Sequence, residues 1–119
     1  MVEAGYACVE MEDRRRIRNH LDSVHALAIA NIGELTTGLA MTATLPPDVR
    51  SILTALQIEY KKKGRGRLVA QCNCVVPDVT EATEVMVTST VTDVVGDEVA
   101  RVTATWLIRP APLFSGQEP

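Results

Sequence analysis

Residues 5–13 alternate between apolar and polar, with Ala7, Val9 and Met11 on one side. This is the two-residue period of a strand with one buried face. The pattern then changes. Residues 24–41 contain no proline, carry apolar side chains on nearly every side of a helical wheel, and are preceded by Asp22 and Ser23, either of which can cap a helix. Leu27, Ile29, Ile32, Leu35 and Leu39 supply bulk, while Ala26, Ala28, Ala30, Gly33, Gly38 and Ala40 keep the helix thin. A helix that is apolar most of the way round is predicted to be buried. Pro46 and Pro47 end it, since neither can continue a hydrogen-bonded helix. Strand character returns over 51–61, 67–76, 84–95 and 98–109. Alternation predicts that Ile52, Thr54, Leu56, Ile58 and Tyr60 share one face, as do Leu68, Ala70, Cys72 and Cys74. Gly96-Asp97 predicts a tight hairpin between the last two strands.

One strand, one long helix and four further strands predict an α+β domain over residues 1–109, with an antiparallel sheet wrapped around a long central helix. Residues 110–119, with Pro110, Pro112 and a polar ending, are expected to be a flexible tail. A single small sheet cannot cover every side of such a helix, so self-association as a dimer, or a dimer of dimers, is expected.

The 119 residues suffice for one core, and only one Trp, two Tyr and one Phe are present, so that core must be aliphatic. A formal charge of −3 argues against a nucleic-acid binder. The sequence contains no apolar run of signal-peptide or membrane-spanning length, and a cytoplasmic location without membrane contact is expected. Cys8, Cys72 and Cys74 lack metal-finger spacing and are expected to be buried reduced thiols, with no metal bound.

The stretch with candidate chemistry reads N19-H-L-D-S-V-H25-A-L-A-I-A-N-I-G-E34. Glu34 stands inside the apolar run 26–40, where a carboxylate is costly to bury without a partner or a wet cavity. An Asn six residues before a His at the start of the central helix, with a carboxylate nine residues after it, resembles the signature of PaaI-like hotdog-fold thioesterases. The wording is closest to an uncharacterised bacterial branch of that superfamily. Q57-I-E-Y60-K-K-K-G64 resembles the family's second strand and the turn after it. Ala26 and Leu27 occupy places where better-known members have two glycines, and Glu34 stands where many have Asp.

The resemblance implies an acyl-coenzyme A thioesterase with Glu34, Asn19, His25 and Thr54 as catalytic candidates, and with no cofactor beyond the coenzyme A of the substrate. Glu34 would be the general base or the nucleophile, and the N–H groups around Ala26 an oxyanion site. Tyr60, Lys62 and Arg65 are the accompanying substrate-binding candidates, because the turn after this strand often lies near the coenzyme A groove in such folds.

Within one helix, nine residues are 2.5 turns, so His25 and Glu34 face opposite ways and lie roughly 13 Å apart. They cannot serve one substrate in one subunit. Two central helices running antiparallel about a two-fold axis could bring Glu34 of one chain near Asn19 and His25 of the other. Two further readings stay open. One is an acyl-thioester hydratase or dehydratase of the same fold, suggested by His20 fourteen residues before Glu34. The other is a non-catalytic acyl-CoA binding module.

Overall fold

The structure, a computed structural model, describes residues 1–11, 26–64, 66–76 and 80–110. Strands β1 (Val2–Glu3), β2 (Tyr6–Met11), β3 (Val49–Tyr60), β4 (Leu68–Asn73), β5 (Thr83–Thr92) and β6 (Glu98–Pro110) form one sheet in the order β1-β2-β4-β5-β6-β3. Every pairing is antiparallel. Helix α1 (Ala26–Thr42) lies across one face of the sheet. This is the hotdog arrangement that the element order predicts. Residues 110–119 of the expected tail fall outside the description except Pro110, which ends β6.

The predicted helix face meets the predicted strand faces. Ile29 and Ile32 pack with Leu68, Ala70, Val91, Val99 and Ala100, and further along the helix Ala40 packs with Ala7, Cys72 and Val87. Each large aliphatic side chain so buried contributes about 1.5–3 kcal/mol. Gly33 marks the closest approach of helix to sheet, because a Cβ there would overlap the side chain of Val102 on β6.

Three expectations are corrected. The sheet has six strands rather than five: β1 is too short to show a period, and it turns back onto β2 through Gly5, whose φ of 80° favours glycine. The β5–β6 connection is a longer loop than Gly96-Asp97 alone, opened by Asp93, whose carboxylate accepts from the N–H groups of Val95 and Asp97. The alternation read along β3 breaks at a bulge between Leu53 and Ala55. Leu56, Ile58 and Tyr60 pair with Ala104, Val102 and Ala100 on the helix side, but Ile52 pairs with Leu107 on the outer face, and Leu53, opposite Trp106, replaces it on the inner one. Thr54 is left without a register partner.

The three cysteines are free, with Cys72 buried and Cys8 and Cys74 half-buried rather than fully enclosed. Burial pushes the Cys72 thiol up to about 12 and raises that of Cys74, which keeps both as inert packing groups.

Candidate active site

Helical periodicity places Glu34 about 100° round the axis from Gly33, the residue that touches β6. On the wheel it falls between Thr37 and Gly38, and both neighbours meet Trp106: the indole Nε1 donates to Thr37 Oγ1 at 3.3 Å, and a Cβ on Gly38 would lie 3.3 Å from Cζ2. Glu34 therefore belongs to the flank of α1 that faces β6 and β3. The opposite flank, with Ala28, Asn31, Ile32 and Leu35, borders a separate apolar cavity of about 300 Å³ against Val9 and Met11 of β2.

The Glu34 flank is incompletely covered. The helix makes its contacts mainly with β2, β4, β5 and β6, and few with β3. The inner face of β3 consequently leaves Leu56 40% exposed and Tyr60 48% exposed, while Leu27, on Glu34's side of the wheel, is 68% exposed. The side of the helix turned toward the edge strand therefore carries exposed apolar side chains together with the half-buried Glu34. The carboxylate of Glu34 has no hydrogen-bond or ion-pair partner among the described residues. A group placed so can accept a proton or attack an electrophile bound beside it.

Two of the predicted substrate contacts are brought together. Tyr60, at the end of β3, donates its hydroxyl to the carbonyl of Ala26 at 2.8 Å, tying the edge strand to the start of the described helix. The phenol braces that end of the flank. Thr54 lies in the bulge, where its hydroxyl donates to the Thr105 carbonyl at 3.2 Å; it is not on the regular helix-facing row that alternation assigned to it. Asn19, His25, His20 and Arg65 lie outside the described residues, as do Asp22 and Ser23.

Lys62 is already engaged. Its ammonium donates to Asp93 at 2.9 Å and Asp97 at 3.1 Å, fastening the end of β3 to the β5–β6 loop. These bonds raise the Lys62 pKa, and the Lys62 bond lowers that of Asp93. A depressed carboxylate contributes stability above its unfolded pKa and loses it as pH falls through the folded value. Asp93→Ala should therefore lower the melting temperature at pH 7, with the gap to wild type closing as pH falls into the range where Asp93 protonates. Thermal melts across a pH series check this, and a gap that stays constant down to pH 2 would exclude the ion pair as its source.

Nothing in the residue pattern singled out Thr37 and Trp106. The only sequence cue was two adjacent threonines inside a helix, where β-branched residues are disfavoured without a tertiary reason. Both threonines are fully buried and bonded: Thr36 Oγ1 lies 2.5 Å from Ser89 Oγ on β5, and Thr37 joins Trp106.

Among the described residues no group of three His, Cys, Asp or Glu side chains is placed to hold a metal ion, and no helix is long and apolar enough to cross a membrane. A family model described as a domain of unknown function, DUF4442, matches residues 1–108. Among curated proteins, none matches the chain. Similar folds occur in solved structures. A structural-genomics protein is 28% identical, with a TM-score of 0.86 over 93% of this chain and 75% of its own. A protein of unknown function from Pseudomonas aeruginosa, described as a probable thioesterase, is 18% identical, with a TM-score of 0.84 over 92% of this chain and 80% of its own. A protein from Streptococcus mutans, solved bound to acetyl CoA, is 25% identical, with a TM-score of 0.79 over 93% of this chain and 86% of its own.

Proposed function

Because the chain belongs to the DUF4442 family and has the hotdog fold, we propose that it hydrolyses acyl-coenzyme A thioesters at a site shared between two subunits. The observation that carries this reading is Glu34: a half-buried carboxylate with no described partner, on a flank of the helix where one chain leaves apolar side chains of α1 and β3 uncovered. The uncovered apolar flank suits an acyl chain and the carboxylate suits the activation of water or direct attack on the thioester carbon. Acetyl CoA bound by the Streptococcus mutans protein supports a coenzyme A thioester as the ligand class.

In this mechanism the thioester carbonyl docks at the N-terminal end of the central helix, near Ala26, where backbone N–H groups and the helix dipole stabilise the developing oxyanion. Asn19 and His25 orient the carbonyl or the water. Glu34 of the partner subunit takes the proton from water, or forms a mixed anhydride that water then opens, and coenzyme A leaves as the thiol. The second copy is favoured by β3, Val49–Tyr60, which ends the strand order and has no strand on its outer side among the described residues, and by the uncovered apolar side chains beside it.

The test is a panel of acyl-CoA and enoyl-CoA substrates assayed in parallel for free thiol release and for hydration of the double bond. Thiol release from one or more acyl-CoAs is expected. Hydration without thiol release would replace hydrolysis by a hydratase reaction, and tight binding with neither would leave a binding module.

A further inference from the structure

Thr37 is β-branched, fully buried and in the middle of a helix, and its hydroxyl is used in two directions. It donates to the carbonyl of Glu34 at 2.8 Å and accepts from Trp106 Nε1 at 3.3 Å. The same indole packs on the next residue, Gly38, where a Cβ would come within 3.3 Å of Cζ2 and 3.5 Å of Cη2. One side chain of β6 thus grips the helical turn that begins at Glu34 from two points, one polar and one steric. The neighbouring tie, Thr36 to Ser89, fastens the adjacent side of the same turn to β5.

Resting on the reading of Glu34 above, we propose that Thr37 and Trp106 are positioning residues for the Glu34 carboxylate. The Trp106–Thr37–Glu34 chain fixes the height and rotation of that turn over the sheet, and so fixes where the carboxylate meets a bound thioester. Small displacements of a reacting group are costly: an error of about 1 Å can reduce the rate on the order of 10²-fold. A cap on the backbone carbonyl is a way to hold such a group without touching its own oxygens, which must stay free to react.

The test compares Thr37→Val, which keeps the shape and removes the hydroxyl, with Thr37→Ser, which keeps the hydroxyl, and with Trp106→Phe, which keeps a ring and removes the donor. Steady-state hydrolysis of the best acyl-CoA should show kcat lowered by about 10- to 100-fold in Thr37→Val and Trp106→Phe, with KM within about twofold of wild type. Thr37→Ser should recover most of the rate. In a Glu34→Gln background Thr37→Val should cause no further loss, because the group it positions is already inert. The proposal is overturned if kcat in Thr37→Val stays within about twofold of wild type, or falls by the same factor in the Glu34→Gln background. Undiminished hydrolysis by Glu34→Gln alone would remove the reading beneath it, a result distinguishable because it needs no change at Thr37.

Discussion

Glu34→Gln is expected to lower kcat for acyl-CoA hydrolysis by about 10²–10⁴-fold, the contribution of a positioned general base, while KM changes little. The amide has the size and hydrogen-bonding reach of the carboxylate but neither accepts a proton at working pH nor attacks a carbonyl. Structural damage is not expected to account for the loss. Glu34 is half-buried on the open flank of α1 and its side chain has no partner among the described residues that the change would orphan. Circular dichroism and thermal melts of the variant should therefore match wild type. The shared site adds a second, more discriminating outcome. Asn19→Ala and Glu34→Gln chains are each expected to be nearly inactive, but refolding them together in equal amounts should restore about a quarter of wild-type activity. Half of the dimers are then mixed, and each mixed dimer has one site with both residues intact. Sites built within single chains would recover nothing on mixing.

How far such a site is legible in sequence depends on the distance over which each signal acts. A carboxylate in an apolar helical run is a local anomaly, so Glu34 stands out from the residues on either side of it. The central helix and the four long strands are likewise written in local periods, which is why the wrapped-helix fold follows from the pattern. Parity along β3 carries one further signal: Leu53 and Leu56 are three apart, an odd spacing that puts them on opposite faces of a regular strand, and that break is the bulge that moves Ile52 to the outer face. The two-residue β1 has no period to read.

The contacts that hold the site together were invisible for a different reason. Thr37 and Trp106 are 69 residues apart and meet only once α1 lies across β6. Lys62 is a substrate-binding candidate in the sequence, where nothing shows its partners, Asp93 and Asp97, which arrive from a hairpin some thirty positions away. Tyr60 is a substrate-binding candidate in the sequence, which does not show that its hydroxyl also donates to the Ala26 carbonyl at the start of the described helix. In each case the residue type is visible in the sequence and its partner is set by topology.

The second large effect concerns the same turn from its underside. Gly33→Ala should destabilise the protein, although in an exposed helix the change would stabilise it by about 1 kcal/mol. The sign is decided by Val102. An added Cβ at residue 33 would lie 2.8 Å from the Val102 Cβ, an atom fixed to the backbone of a strand paired on both sides, and would overlap one of its methyl groups. Neither atom belongs to the far end of a flexible side chain, so relief requires lifting the helix from the sheet. Overpacking of this kind costs roughly 1–3 kcal/mol. The core clusters on either side oppose the lift, and the turn that rises carries Glu34 with it, so kcat should fall along with the melting temperature. Gly38→Ala provides the contrast, since its Cβ would stand 3.3 Å from the edge of the Trp106 indole, a tight contact and not an overlap, and its melting temperature should fall less than that of Gly33→Ala. Combining Gly33→Ala with Val102→Ala should restore part of the stability, because the new methyl then occupies the space the valine leaves; contacting residues couple by about 0.5–3 kcal/mol. Denaturant melts of the two single variants and the double variant measure that coupling. Strict additivity would mean that the helix does not rest on Val102 at Gly33.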